Sequence, residues 1–224
     1  MREIRYIVLH CTAGPQNQTV EQIQAFWKKK GWKAPGYHYL ISPDGVAHNL
    51  VPIDKIANGV AGYNAHAIHI SYIGGVVTDK KDPAYAPGTP IDNRTDEQKV
   101  TMQQLVEEVS TQFPAAIIQG HRDFSADKNR DGIIQSNEWI KACPSFSVAT
   151  WLREIGFKSK LPVQLMTTTG VNIRTGPGID FPKAAPTLNK GITVRYLGED
   201  GDWIYVALQN SDIKGYVNKK FLTK

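Results

Sequence analysis

The chain has 224 residues, 41% of them hydrophobic and 21% charged, the make-up of an ordinary globular protein with room for one large domain or two small ones. Its formal net charge of +5 is a modest excess; it suits an anionic polymer such as bacterial wall or nucleic acid without selecting between them. The apolar runs are far too short for a transmembrane helix, so no membrane association is expected.

Met1 to Leu9 leads straight into His10 and leaves no space for the apolar segment and cleavage site of a signal peptide. The expectation is release by lysis, dedicated secretion, or a leader already removed. Tyr6 to His10 reads as a short buried strand that delivers a histidine at its end. Thr19-Val20-Glu21-Gln22 forms a capping box that opens a helix with Ile23, Phe26 and Trp27 on its buried stripe, closed by Lys28, Lys29 and Lys30. Tyr37 to Ile41 and Val46 to Leu50 flank Ser42-Pro43-Asp44-Gly45 and predict a hairpin. Ile68 to Ile73 is a further strand, and the Pro-rich stretch from Asp82 to Pro90 a long surface loop. A second capping box, Thr95-Asp96-Glu97-Gln98, opens a helix carrying Met102, Leu105, Val106, Val109 and Phe113 at helical spacing. Ala115 to Gln119 is a strand running to His121. Ser147 caps a last helix with Val148, Trp151, Leu152 and Ile155 inward, stopped by Gly156. Beyond Gly156 only strand and turn signals remain. The predicted organisation is an α/β domain over 1–156 with a mixed central sheet flanked by helices, a linker over 157–163, and a small all-β domain over 164–224.

His10, His121 and Cys143 offer two imidazoles and one thiolate, a set that suits Zn²⁺ with a fourth position left for water. Spacing alone leaves open that both histidines are ordinary half-buried residues and Cys143 a small buried hydrophobe. The other cysteine, Cys11, also leaves open a Cys11–Cys143 disulfide in an oxidised compartment.

The flanking residues add a resemblance. Val-Leu-His-Cys-Thr-Ala, Pro-Gly-Tyr-His-Tyr-Leu-Ile, Gly-Tyr-Asn at 62–64, Ile-Gly-Gly at 73–75, Gly-His-Arg-Asp and Lys-Ala-Cys-Pro-Ser-Phe occur in one order. The series resembles the N-acetylmuramoyl-L-alanine amidases of phage lysozyme type, which also include the peptidoglycan recognition proteins. It implies zinc ligands His10, His121 and Cys143, with Cys143 as thiolate and not in a disulfide. It also implies accessory catalytic positions at Tyr37 and Lys141. Asn64, in the Gly-Tyr-Asn element, is a candidate substrate contact. Two residues depart from the pattern. Ser71 stands where some superfamily members carry a catalytic Glu, which shifts weight to Tyr37. His69 stands where relatives often have Gly, and is read as filling the sheet. His38, His48 and His66 have no evident ligand partner.

Val171-Asn172-Ile173-Arg174-Thr175-Gly176-Pro177-Gly178 and the strand-like runs after it resemble bacterial SH3-type domains, an SH3-like barrel that commonly tethers wall hydrolases. Tyr196, Trp203 and Tyr216 are its candidate exposed contacts, and a packing module without ligand remains the alternative.

Asp127-Lys128-Asn129-Arg130-Asp131-Gly132, followed by Glu138, fits a calcium loop. Its oxygens would come from Asp127, Asn129, Asp131, the Ile133 carbonyl and a bidentate Glu138. That Ca²⁺ would be structural.

Amide hydrolysis needs an activated water, a stabilised oxyanion and a proton for the leaving nitrogen. Lys141 precedes Cys143 by two residues, so an extended segment would project both to one side. Tyr37 shuttles a proton only if its neighbours lower its pKa. The expected activity is zinc-dependent cleavage between the lactyl group of N-acetylmuramic acid and L-alanine, by a monomer acting on bacterial peptidoglycan and not on nucleic acid. A non-catalytic muropeptide-binding module is the alternative, and a zinc peptidase or recycling amidase a third reading.

Overall fold

The computed structural model describes residues 2–81, 85–86, 88–126, 128, 134–157, 164–208, 211 and 213–223. Two compact units divide the chain near residue 160.

The N-terminal unit is built on a five-stranded mixed sheet. Its strands are β1 (Tyr6–Cys11), β2 (Tyr39–Ile41), β3 (Ala47–Asn49), β4 (Ala67–Tyr72) and β5 (Ile117–Gly120), in the order β3-β2-β4-β1-β5. β1 pairs in parallel with β4 and β5, β2 in parallel with β4, and β2 with β3 as an antiparallel hairpin. That hairpin turns through Gly45, whose φ of 82° suits a residue without Cβ. The helices are α1 (Val20–Lys29), α2 (Asp96–Gln112) and α3 (Val148–Glu154). Both expected capping boxes are closed in both directions, at Thr19/Gln22 and Thr95/Gln98.

β1 and β4 are buried along their whole length, so alternation divides their side chains between two covered faces. Ile7, Leu9 and Cys11, with Ile68, Ile70 and Tyr72, meet Met102, Leu105, Val106 and Val109 of α2 and Val148 and Trp151 of α3. Each such aliphatic side chain contributes about 1.5–3 kcal/mol on burial. The opposite face carries Val8, His10, Ala67, His69 and Ser71, all buried. Apolar clusters flank it: Ile23 and Trp27 with Leu40 and Tyr37, and Val60 with Tyr6, Val8, Tyr63 and Phe124. The polar residues of this face lie between those clusters, away from solvent.

One expectation on α1 is corrected: Phe26 lies 55% exposed, with Lys30 over its ring, and only Ile23 and Trp27 face inward. On α2 the Gln98 amide donates to the Ile41 and Ile73 carbonyls at 3.1 and 3.0 Å, tying the helix start to the ends of β2 and β4. Among the described residues no helix is long and apolar enough to cross a membrane.

The second unit is an all-antiparallel sheet of β6 (Gln164–Thr167), β7 (Thr193–Asp200), β8 (Trp203–Leu208), β9 (Lys214–Asn218) and β10 (Leu222–Thr223), in the order β10-β6-β7-β8-β9. Val171, Ile173, Val194, Ile204, Val206 and Val217 form its core. Gly215 lets Arg174 and Tyr216 exchange main-chain hydrogen bonds of 2.9 and 2.7 Å, since a Cβ there would stand 2.3 Å from the Arg174 carbonyl oxygen. Tyr196, Trp203 and Tyr216 are half-buried and not exposed as expected; Tyr196 packs on the core and Tyr216 against Tyr205, ring centroids 4.8 Å apart.

Candidate metal centre

β1 brings His10 to the polar face near its C-terminal end, and β5 ends in a 3-10 turn that begins with His121. Cys143 arrives on a segment fixed from several sides. The Arg122 N–H donates to the Cys143 carbonyl at 2.8 Å, the Tyr72 hydroxyl to the Pro144 carbonyl at 2.9 Å, and the Ser145 hydroxyl to the Gly75 carbonyl at 2.8 Å. The Cys11 N–H points at Cys143 Sγ from 3.3 Å.

His10 Nδ1 lies 3.2 Å from His121 Nδ1 and 3.7 Å from Cys143 Sγ, and the three donor atoms all lie within 4.8 Å of one another. Tetrahedral zinc with ordinary bond lengths would set its nitrogens about 3.3 Å apart and nitrogen and sulfur about 3.6 Å apart. The donors fit that ion. Burial holds His10 well below the ordinary histidine range, helped by the charges of His69 and His121, and brings His121 down to about 4 with help from Lys141. Both rings are therefore neutral at pH 7, with lone pairs free to ligate. Burial pushes the Cys143 thiol up, so its deprotonation calls for a cation alongside. Cys11 and Cys143 are both free thiols, which removes the disulfide alternative.

Tyr37 sets its ring centroid 5.1 Å from that of His10 and donates its hydroxyl to the Cys11 carbonyl at 3.3 Å. Ser71, the serine in the superfamily's carboxylate position, turns its own hydroxyl to the Tyr72 carbonyl at 3.4 Å. Burial, and then Cys143 and Cys11, push the phenol's pKa upward, which makes it a neutral donor unless a cation stands alongside. Lys141 is exposed, and its charge reaches His10, His121 and Cys143. Asn64 turns its side-chain oxygen back to the Val60 N–H at 2.7 Å, where it fixes the loop before β4.

His69 is the residue whose role the sequence reading missed. His10 Nε2 lies 3.1 Å from His69 Nδ1, so this histidine meets His10 as well as filling the sheet. His38 lies behind it, accepting the His69 main-chain N–H at 3.0 Å through Nδ1. His48 serves the hairpin through Ser42, and His66 the N-terminal segment through the Glu3 carbonyl. Of the calcium-loop candidates, Asp127, Asn129, Asp131 and Ile133 lie outside the described residues. Glu138 is buried, with its carboxylate on the Gln135 N–H at 2.9 Å.

A buried His-His-Cys cluster lies at the end of a mixed α/β sheet and an antiparallel β unit follows, and comparison with known proteins supplies the family. The chain belongs to the N-acetylmuramoyl-L-alanine amidase family, whose model matches residues 1–133, and it carries a bacterial SH3 domain over 169–223. It is 27% identical over 154 residues to the endolysin of Enterobacteria phage K11, covering 68% of this chain and 87% of that protein. An uncharacterized protein of Haemophilus influenzae is 34% identical over 109 residues, 49% of this chain and 87% of its own length. The solved endolysin amidase LysCS from Clostridium intestinale URNW shares the fold, with a TM-score of 0.52 at 19% identity over 70% of this chain and 86% of that one.

Proposed function

We propose that the chain hydrolyses the amide bond between the lactyl group of N-acetylmuramic acid and L-alanine of peptidoglycan, using zinc held by His10, His121 and Cys143. The observation that carries this reading is the convergence of two buried imidazole nitrogens and a buried sulfur at zinc-like separations, with the Tyr37 ring packed against His10. A zinc ion there would supply Lewis acidity for the scissile carbonyl and an acidified water. Tyr37, protonated and packed against the His10 ring, donates a hydrogen bond to the oxygen on which charge grows. Lys141 places a positive charge over the same region, and both act in the step where that charge develops.

The SH3-type domain would hold the enzyme on its polymeric substrate. The loop over 127–138 would bind Ca²⁺ as a structural brace, a role that rests on its sequence pattern alone. Calcium titration of the full chain checks it: Glu138→Gln should abolish a calcium-dependent rise in melting temperature, and a wild-type melt indifferent to calcium would dismiss the brace.

Mass spectrometry of digested walls tests the activity. Stem peptides that begin at a free L-alanine amine are expected. Intact polymer would favour the binding-only reading, and cuts elsewhere the peptidase. Undiminished lysis by metal-stripped protein would overturn the zinc chemistry.

A further inference from the structure

β4 places His69 on the polar face of the sheet, paired in register with Val8 of β1, one alternation before Ser71 pairs with His10. The His69 ring is fully buried. Its Nδ1 lies 3.1 Å from His10 Nε2, and their ring centroids are 5.1 Å apart at an interplanar angle of 63°. Its Nε2 is buried with no hydrogen-bond partner among the described residues.

An imidazole is an expensive filler. A buried polar atom left unpaired costs about 1–3 kcal/mol, whereas Leu or Met would fill such a space with no polar atom to satisfy. The surroundings also make way for this ring. Gly59 passes so close that a Cβ there would stand 2.3 Å from His69 Nδ1 and 2.4 Å from its Cγ. The nitrogen that is satisfied is the one that meets His10.

Proton placement gives this contact a direction. If His10 is to ligate through Nδ1, the atom facing His121 and Cys143, its proton must sit on Nε2. That N–H donates to His69 Nδ1, which fixes His69 with its own proton on Nε2. Behind it, the His69 main-chain N–H donates to His38 Nδ1, and His38 Nε2–H donates to the Lys55 carbonyl at 3.1 Å. The His10 and His69 rings are thereby each left one consistent tautomer, while His38 Nε2 faces both the Lys55 carbonyl and, at 3.2 Å, the Arg2 guanidinium. A metal-ligating histidine commonly hands its second N–H to a carboxylate, carbonyl or water; here a neutral imidazole takes that place.

We propose that His69 is a positioning residue for the metal, holding His10 in the tautomer and ring orientation that present Nδ1 to the ion, with Gly59 as the backbone space that admits it. The inference rests on the zinc reading of the His10, His121 and Cys143 cluster. Outer partners of this kind are worth about 10–100-fold in metal affinity.

The test is zinc affinity of the full chain, measured by competition of metal-free protein against a chromophoric chelator, with the Co²⁺ absorption spectrum as a report on ligand geometry. His69→Phe removes the acceptor; it should weaken Zn²⁺ binding at least tenfold and alter the Co²⁺ bands. His69→Asn keeps an acceptor near the Nδ1 position and should stay within about threefold of wild type. Gly59→Ala, which crowds the ring and leaves His69 in place, should weaken binding in the same sense and serves as the decisive variant if His69→Phe does not fold. Unchanged affinity in the folded Phe variant, or in Gly59→Ala if Phe does not fold, would overturn the proposal. So would equal losses in Phe and Asn. A wild-type protein that binds no zinc would instead overturn the reading beneath it, and the two failures are separate outcomes of one titration.

Discussion

His38 gives the metal-free protein a measurable acid sensitivity. The ring is fully buried, with the Arg2 guanidinium 3.2 Å from its Nε2, the Lys55 carbonyl on the same nitrogen and the His69 N–H on Nδ1. Burial brings its pKa down to about 4 from an ordinary 6.5, with Arg2 adding repulsion and the Lys55 carbonyl opposing. Above pH 6.5 the folded and unfolded states both hold the ring neutral, so His38 adds no pH dependence. Below 6.5 the unfolded chain takes a proton that the folded chain refuses, and stability falls until about pH 4. Linkage over that interval puts the loss between pH 7 and pH 5 at about 2 kcal/mol for this one group. The assay is urea unfolding of the chelator-treated protein at both pH values, following the N-terminal unit, for wild type and His38→Gln. The variant starts less stable, because it loses part of the bonding to His69 and Lys55, but its drop between the two pH values should be about 2 kcal/mol smaller. Equal drops in the two proteins would refute the argument that a neutral buried His38 links folding to protons.

Cys143→Ala should abolish zinc retention and wall clearing together, because two imidazoles alone bind a divalent ion far more weakly; equilibrium dialysis with a turbidity assay reads both. Tyr37→Phe and Lys141→Met should each lower kcat by about 10²-fold with zinc stoichiometry unchanged, the pattern of groups that act on developing charge. Arg94 holds Asp92 through two bonds of 2.8 Å and lies 3.4 Å from the Phe146 ring centroid, so Arg94→Met should destabilise the N-terminal unit by about 2 kcal/mol in urea unfolding, less than a fully buried pair because Asp92 keeps access to water.

Much of the fold was legible because local physics writes it locally. Both capping boxes, the Gly45 turn and the apolar spacing of α2 depend on residues within a turn or two of each other, and all appear in the structure as read. Phe26 was misread because helical spacing identifies a stripe but not its edge; how far a partner covers α1 is a tertiary fact. The three aromatic residues of the SH3-type unit were misplaced for the same reason, since exposure on a small sheet depends on which strands close over it.

The candidate site divides along the same line. His10, His121 and Cys143 could be picked out as ligand types set in recognisable flanks, and the sequence order of those flanks pointed to the amidase family. Nothing in the chain's own spacing predicts that Nδ1 of two rings more than a hundred residues apart would meet at 3.2 Å; parallel pairing of β1 with β5 does that. His69 shows the limit most plainly. In sequence it is a polar residue interrupting a buried strand, and only the register of β4 on β1 turns it into a partner for His10. Residue chemistry is inherited from the sequence one position at a time, but a hydrogen bond between strands exists only once the sheet fixes which side chains share a face.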